Sequence, residues 1–271
     1  MESIRVRAVP FILISLLVCS CSEPEPVKIG FLGSLSGKAS ELCLSARDGV
    51  QLAIEKINAQ GGINGRQAEL VVFDHLNNPD KAGEGVNFLA DRGVVTIIGP
   101  ATSQMASAAT SAANSRKTVL ISPTASTVDL SGFADYLFRV YPTSEGNART
   151  LASYAATVAN NKRFAILGNT ANASFIEPWQ QSFIDQIKKS GGEITTTINF
   201  NSHGKAVRYL DLAKQIVASE PDGILILTNS IDAALFSQQV RKLNTEISLY
   251  GSDWTFSGEL IQYGGKSVEG F

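Results

Sequence analysis

A repeated alternation between short apolar runs and longer amphipathic segments constrains this chain most strongly. Apolar runs such as VKIGFLG (27–33) and AELVVFD (68–74) enclose segments such as ARDGVQLAIEKINAQ (46–60), whose apolar residues recur at helical spacing. Asn78 and Pro79 then mark the start of the next helix, because both residue types favour the first positions of a helix. Strands of continuous apolar residues that are separated by helices predict parallel sheets covered on both faces.

The alternation is interrupted at VYPTSEG (140–146), where proline and glycine break the pattern. Four apolar runs and a fifth at 136–141 precede this break, and the alternation resumes after it. We therefore predict an α/β fold of two Rossmann-like, three-layer lobes with parallel sheets, with the N-terminal part of lobe 1 in residues 27–141 and lobe 2 in residues 142–271. The final SVEGF (267–271) resembles the opening of another strand, so we expect a C-terminally truncated chain whose first lobe is incomplete.

The N-terminus has the composition of an export signal. Arg5 and Arg7 precede the apolar stretch AVPFILISLLV, which is too short to span a membrane. The stretch ends in LVCSC, which resembles a bacterial lipobox, so we predict a lipoprotein signal peptide in residues 1–20 and an acylated Cys21. An ordinary cleaved signal that ends in cysteine is the alternative. Residues 21–26 predict a tether, which places the protein in the periplasm or at the cell surface as a membrane-anchored lipoprotein.

Composition excludes several classes of function. The formal net charge is −2 and no basic block occurs, so nothing indicates a nucleic-acid partner. The two histidines, His75 and His203, stand in no Cys/His cluster, so we expect no metal; His75 follows a strand and either lines a cleft or is a surface polar residue. GSLSGKA (33–39) lacks the spacing of a phosphate loop, and no dinucleotide fingerprint follows the first strand. We therefore expect no catalytic residue and no cofactor.

Two neighbouring strands end in the same unusual way. TIIGPATSQ carries the third strand through a proline bend into Thr102 and Ser103, and LISPTAST carries the fourth through another into Thr124 and Ser126. In open parallel sheets, ligands bind beyond the carboxyl ends of the strands, where helix N-termini also present unpaired N–H groups. Ser103, Thr124 and Ser126 therefore predict a site for a small carboxylate, with ordinary helix capping as the alternative.

Asp253 occupies the corresponding position in the second half of the chain. It ends the predicted strand SLYGSD and precedes Trp254. A carboxylate at that edge, facing the first lobe, suits an ammonium group, although capping of a helix from about Thr255 explains it equally well. Together with the three hydroxyl residues, Asp253 suggests a ligand that carries both an anion and a cation and is held between two lobes.

Seven motifs give the chain a family resemblance. They are, in order, VKIGFLGSLSG, GVQLAIEKINAQGGINGR, AELVVFDHLNNPDKA, GVVTIIGPATS, LISPTAST, YLFRVYPTSEG and PDGILILTNSIDAALFSQQVRK. They resemble the type I periplasmic binding proteins of the leucine/isoleucine/valine kind, which are the substrate-binding subunits of ABC importers, over about residues 27 to 271. The resemblance implies two lobes that are joined by three hinge strands and close around a ligand, with an ABC permease in the membrane as partner.

The resemblance also implies roles for individual residues. Ser103, Thr124, Ser126 and the backbone of Ala125 stand where the family binds the α-carboxylate of its ligand. Asp253 stands where the family places an acidic residue for the ammonium.

The resemblance is weaker where family members often close the cleft with aromatic residues. Those positions hold Leu42, Asn229 and either Ala173 or Phe175. We therefore expect Asn229 to contact the ligand and the pocket to suit a larger or more polar compound, such as another amino acid, an amide or an aromatic acid. The function predicted is that of a lipid-anchored, extracytoplasmic solute-binding protein of an ABC importer, without enzymatic activity. A ligand-sensing module that reports to a membrane receptor is the alternative.

Overall fold

A computed structural model describes residues 24–37, 40–203 and 206–271. The expected signal peptide and Cys21 lie outside these residues. The described chain forms two α/β lobes, each built on a parallel sheet. Within the described ranges, no helix combines the length and the apolar character needed to cross a membrane.

The described residues of the first lobe form five strands and three helices. They are β1 (Val27–Gly33), α1 (Ser40–Ala59), β2 (Ala68–Asp74), α2 (Pro79–Asp91), β3 (Thr96–Ile98), α3 (Ser103–Arg116), β4 (Leu120–Ser122) and β5 (Leu137–Arg139), with a 3-10 helix at Val128–Leu130. The strand order is β2-β1-β3-β4-β5, and every pair is parallel. The carboxyl ends of all five strands therefore lie at one edge of the sheet.

Apart from residues 204 and 205, which the structure does not describe, the second lobe forms four strands and five helices. They are α4 (Glu145–Thr157), β6 (Arg163–Asn169), α5 (Ala173–Lys189), β7 (Glu193–Phe200), α6 (Tyr209–Val217), β8 (Gly223–Leu227), α7 (Ser230–Leu243), β9 (Ser248–Gly251) and α8 (Gly258–Gly264). Short 3-10 helices lie at Thr170–Asn172, Asp253–Thr255 and Gly265–Val268. The strand order is β7-β6-β8-β9, and this sheet is also parallel.

Strand β6 shows why these strands are continuous apolar runs. Its successive side chains point to opposite faces of the sheet. Phe164 and Ile166 join a core cluster that includes Trp179 of α5, whereas Ala165 and Leu167 join a second cluster on the other face. Because helices cover both faces, each of these residues of β6 is buried, which explains the absence of a polar alternation.

Local sequence signals agree with the structure in several places. Strands β1 and β2 have the predicted bounds, and the Asn78 side chain accepts hydrogen bonds from the N–H groups of Asp80 and Lys81, as expected for the cap of α2. Strands β3 and β4 are shorter than the apolar runs that contain them. His75, expected at a cleft or at the surface, is instead buried and only 1% exposed.

The prediction of another strand at the end of the chain is wrong. Residues Gly265–Val268 form a 3-10 helix, which begins at a glycine with a φ of +51°. The Phe271 ring packs beside Gly251 of β9 and edge-on to the ring of Phe256, with their centroids 6.0 Å apart. The apolar character of this segment therefore reflects packing against the second lobe rather than strand pairing.

Candidate ligand-binding site

A cavity of about 130 Å³ lies between the two lobes, at the carboxyl ends of their strands. Both lobes and the segment that joins them contribute to its walls, which comprise Leu42, Ala101, Thr102, Ser103, Thr124, Ser126, Tyr141, Asn172, Phe175, Asp253 and Trp254. The structure therefore brings Ser103, Thr124, Ser126 and Asp253 together around one space, although the segment from the first to the last of them is 151 residues long.

A glycine bend positions the lobe 1 residues. Gly99 has a φ of +110°, and a side chain at this position would collide with the Leu32 carbonyl. The chain then reaches the N-terminus of α3, where Thr102 occupies the cap position without making a side-chain cap bond. Thr102 as a whole is 8% exposed, but its hydroxyl is buried and has no partner among the described residues. A buried hydroxyl without a partner costs free energy, so Thr102 is a locally unfavourable position at the start of α3.

Ser103 joins the two strand ends. Its Oγ accepts hydrogen bonds from the N–H groups of Ser126 and Thr127, each at 3.2 Å. A serine hydroxyl has two acceptor positions and one proton, so these bonds leave the proton of Ser103 available for donation. The loop after β4 is thus attached to the N-terminus of α3 while one hydrogen-bond donor is retained.

The residues after β4 differ from the expectation in their hydrogen bonding. The Thr124 hydroxyl donates to the Ala101 carbonyl at 2.6 Å, so Thr124 presents acceptor lone pairs rather than a proton to the cavity. The Ala125 N–H donates to the Ser122 Oγ at 3.1 Å, and Ala125 is fully buried away from the cavity wall. The backbone of Ala125 therefore does not face the cavity, contrary to the role implied by the family resemblance.

Asp253 lies two residues beyond β9 and faces the first lobe. Its Oδ2 accepts a hydrogen bond of 2.7 Å from the hydroxyl of Tyr141, and this bond is the main reason why the pKa of Tyr141 rises to about 12. Helix α8 is capped by Ser257, whose Oγ accepts the Glu259 N–H at 3.2 Å. The capping alternative for Asp253 is therefore wrong, and Oδ1 of Asp253 accepts no hydrogen bond from the described residues.

Hydrogen bonds beside the cavity link the two lobes directly. The Gln104 N–H donates to Oδ1 of Asn172 at 3.0 Å. The Gln104 Oε1 accepts from the N–H and the hydroxyl of Ser174, at 3.3 and 3.0 Å. These bonds connect the N-terminus of α3 in lobe 1 with that of α5 in lobe 2, so the described conformation is one in which the cleft is closed on this side.

A second cavity of about 190 Å³ adjoins the first and shares Leu42, Asp253 and Trp254 with it. Asn229 lines this second cavity rather than the first. Its side chain caps α7: Oδ1 accepts the Asp232 N–H at 3.0 Å, and Nδ2 donates to Oδ2 of Asp232 at 2.9 Å. The structure thus places Asn229 apart from the hydroxyl residues, with both ends of its amide already bonded.

Of Ala173 and Phe175, the two candidates for the aromatic position of the cleft, only Phe175 lines the cavity. Phe175 lines the first cavity, whereas Ala173 lines neither. The Phe175 ring lies edge-on to that of Trp254, with centroids 5.8 Å apart. An aromatic pair therefore forms one wall of the cleft.

A comparison with protein-family profiles identifies the family of this chain. The profile of the protein family described as periplasmic binding protein matches residues 26–271. The chain belongs to this family. It is a periplasmic binding protein of type I, and its relatives include proteins named for binding leucine, isoleucine and valine.

This periplasmic binding protein has several curated relatives. It is 22% identical over 248 residues to the Leu/Ile/Val-binding protein BraC3 of Rhizobium johnstonii. The aligned region covers 90% of this chain and 66% of the relative. It is 26% identical over 144 residues to the leucine-, isoleucine-, valine-, threonine-, and alanine-binding protein of Pseudomonas aeruginosa. That alignment covers 53% of this chain and 39% of the relative. The chain thus spans less than two thirds of the length of either relative.

Solved structures show the same fold. One is the substrate-binding protein LivJ of the Streptococcus pneumoniae branched-chain amino acid transporter, in complex with isoleucine. It is 26% identical to this chain and superposes with a TM-score of 0.80 over 89% of this chain and 68% of LivJ. A Rhodopseudomonas palustris ABC transporter solute-binding protein in complex with benzoate is 21% identical with a TM-score of 0.78, covering 89% and 66%. These likenesses confirm the predicted α/β fold with parallel sheets in two lobes.

Three residues around the cavity of this periplasmic binding protein had no signal of their own in the sequence. Tyr141 lies in VYPTSEG, which the pattern marks only as a break, and Asn172 and Trp254 follow strands β6 and β9. The rule that ligands lie beyond the carboxyl ends of parallel strands applies to these positions too. Applied to every strand of both lobes, it would have pointed to Asn172 and Trp254, whereas Tyr141 depends on the path of the joining segment.

Proposed function

We propose that this protein is the extracytoplasmic solute-binding component of an ABC importer and that it binds an amino acid, or a related small carboxylate, between its lobes. The observation that carries the proposal is the chemistry of the first cavity. Hydroxyl groups from lobe 1 lie on one side of it, and the Asp253 carboxylate from lobe 2 lies on the other. A zwitterion has charges that complement both sides.

In the proposed orientation, the carboxylate of the ligand faces Thr102, Ser103 and Ser126. The hydroxyl proton of Ser103 is not committed to a partner in the described chain, so it can be donated. A hydrogen bond to a charged group contributes about 1.5–3 kcal/mol. The ammonium faces the free Oδ1 of Asp253 and the lone pairs of Thr124, since both are acceptors.

The names of relatives support an amino-acid ligand. The BraC3 and Pseudomonas aeruginosa relatives are named for branched-chain and small amino acids, and the Streptococcus pneumoniae structure contains isoleucine. The Rhodopseudomonas palustris structure contains benzoate, a carboxylate without an ammonium group. Asp253 is therefore the residue on which we base the preference for an amino acid over a simple carboxylate.

Closure of the lobes is the step by which binding would be signalled. The bonds of Gln104 to Asn172 and Ser174 form only when the lobes are together. A ligand that contacts both Ser103 and Asp253 binds the closed form better than the open one, and this difference in affinity shifts the population toward closure. An ABC permease in the membrane would recognise the closed form. In this proposal the protein has no catalytic activity and is held by a lipid on Cys21 in the periplasm or at the cell surface.

Thermal denaturation in the presence of each amino acid and of simple carboxylates tests the proposal. A ligand at about 100 times its Kd should stabilise the protein by about 2.7 kcal/mol and raise Tm by roughly 5–10 °C. Ser103→Ala should remove most of this shift. Ser115→Ala is the matched control, because Ser115 lies on the same helix, exposed, and its hydroxyl bonds only the Ser111 carbonyl. The proposal fails if no amino acid and no small carboxylate raises Tm.

A further inference from the structure

The hydroxyl of Tyr141 is the only group among the described residues that donates a hydrogen bond to the side chain of Asp253. The bond to Oδ2 is 2.7 Å long. Asp253 is exposed and begins the 3-10 helix Asp253–Thr255. Because an exposed aspartate that nothing else bonds can turn among its rotamers, the direction in which its Oδ1 points depends on Tyr141.

The backbone on either side of Tyr141 is bonded to the loop after β4. The N–H of Val140 donates to the Ser122 carbonyl at 3.3 Å, and the N–H of Ser144 donates to the Ser126 carbonyl at 3.0 Å. These bonds attach the segment that carries Tyr141 to the loop that carries Ser126, on the proposed carboxylate side of the cavity. The Tyr141 hydroxyl therefore reaches from the lobe 1 side to a residue of lobe 2.

The bond between Tyr141 and Asp253 thus connects the two sides of the proposed zwitterion site. Tyr141, Ser103, Ser126 and Asp253 line the same cavity. Since the Ser103 Oγ accepts the Ser126 N–H at 3.2 Å, hydrogen bonds and a short stretch of chain lead without a gap from Ser103 to Asp253. The two charged groups of an α-amino acid are held on one carbon, so their acceptor and donors need a fixed separation of this kind.

We propose that Tyr141 is a positioning residue, whose hydroxyl holds the Asp253 carboxylate in the orientation that binds the ammonium of the ligand and so determines the preference for amino acids over simple carboxylates. The inference rests on the proposed function and assigns a further residue to it. Tyr141 bonds Oδ2 and leaves Oδ1 for the ammonium, so the two donors do not compete. Without the hydroxyl, binding must also immobilise the aspartate, which weakens affinity about three- to tenfold.

Titration calorimetry of Tyr141→Phe with L-leucine and with 4-methylpentanoate, which is leucine without its ammonium group, tests the inference. We expect the substitution to weaken leucine about three- to tenfold and to leave 4-methylpentanoate unchanged, because only the ammonium contact depends on Asp253. If leucine is not a ligand, the amino acid that raises Tm most replaces it, together with its own deaminated analogue. Tyr154→Phe is the matched control, since Tyr154 lies on α4 and is 52% exposed. The Tm of each variant without ligand shows that it is folded.

A double-mutant cycle separates positioning from direct contact with the ligand. If Tyr141 acts through Asp253, Tyr141→Phe should have no further effect on the affinity for leucine in the Asp253→Asn variant. A loss of the same size in both backgrounds would mean that Tyr141 contacts the ligand itself, and it would overturn the inference. The cycle uses the amino acid alone, so it decides the question even when the analogue binds too weakly to measure.

The remaining outcomes separate the inference from the proposed function. Unchanged or tighter binding of leucine by Tyr141→Phe overturns the inference alone, as do equal losses of leucine and 4-methylpentanoate. Binding of simple carboxylates without binding of any amino acid leaves the proposed function in place and overturns the inference. If neither class of compound binds, the proposed function fails and the inference fails with it.

Discussion

His75 makes the stability of this protein sensitive to acid. The imidazole follows β2 and is 1% exposed; its Nδ1 accepts the Asn77 N–H at 3.1 Å, and its Nε2 has no partner among the described residues. Burial lowers the pKa of His75 from 6.5 to about 4, although the charge of Asp74 opposes the change. Protonation of the ring would also place a proton on the nitrogen that accepts the Asn77 bond.

The sign and size of the effect follow from this pKa. Because the folded pKa of His75 is below the unfolded one, the folded state binds fewer protons. The stability that neutral His75 contributes is present in full above about pH 6.5 and is lost as the pH falls toward about 4. At about 1.36 kcal/mol for each pKa unit, the loss is about 3 kcal/mol, a large part of the free energy of unfolding of an ordinary domain.

Urea denaturation at several pH values, from about 7 to about 4.5, measures this loss. In the His75→Gln variant, residue 75 stays neutral at every pH. Acidification over this range should therefore lower the free energy of unfolding of the variant by roughly 2–3 kcal/mol less than it lowers that of the parent protein. Carboxyl groups titrate in the same range but are common to both proteins, so the comparison removes their contribution. His203→Gln is the matched control because His203 is exposed. Identical pH dependences of the parent and His75→Gln would refute the reasoning.

Three further variants test the site and its frame. Asp253→Asn should weaken an amino-acid ligand about tenfold in calorimetry and leave its deaminated analogue unchanged, since only the ammonium contact is lost; equal losses would contradict the assigned contact. Gln104→Ala removes two hydrogen bonds with Ser174 across the cleft, so small-angle scattering should show a more open protein and affinity should fall about tenfold; unchanged values would mean that these bonds do not favour closure. Gly99→Ala should lower the free energy of unfolding by roughly 3 kcal/mol or more, because of its φ and the nearby Leu32 carbonyl; a loss below about 1 kcal/mol in urea denaturation would show that the backbone relaxes.

Features of the fold that depend on local sequence could be predicted. Strands β1 and β2 are largely apolar runs bounded by proline or polar residues, and their bounds follow from that pattern. Asn78 caps α2 through its own side chain, within three residues of the cap. The final SVEGF segment could not be predicted in this way, because its apolar residues pack against α8 and β9, which are distant contacts rather than a periodic pattern.

The same distinction applies to the site. The carboxyl-end rule brings Ser103, Thr124, Ser126 and Asp253 to one cleft, because it depends only on strand direction. The direction of the Ala125 N–H depends instead on the Ser122 hydroxyl, and sequence alone does not specify that bond. Hydrogen-bond direction, rather than residue identity, therefore limits what the motifs can predict about binding.

The position of Trp254 has a practical consequence. The chain contains two tryptophans: Trp179 is buried in the core of lobe 2, whereas Trp254 lies where the two cavities meet. Indole emission depends on the polarity around the ring, so arrival of a solute in the cleft should alter the fluorescence of Trp254 and leave that of Trp179 constant. The protein thus carries an intrinsic optical reporter of occupancy, and no attached dye is needed to follow it.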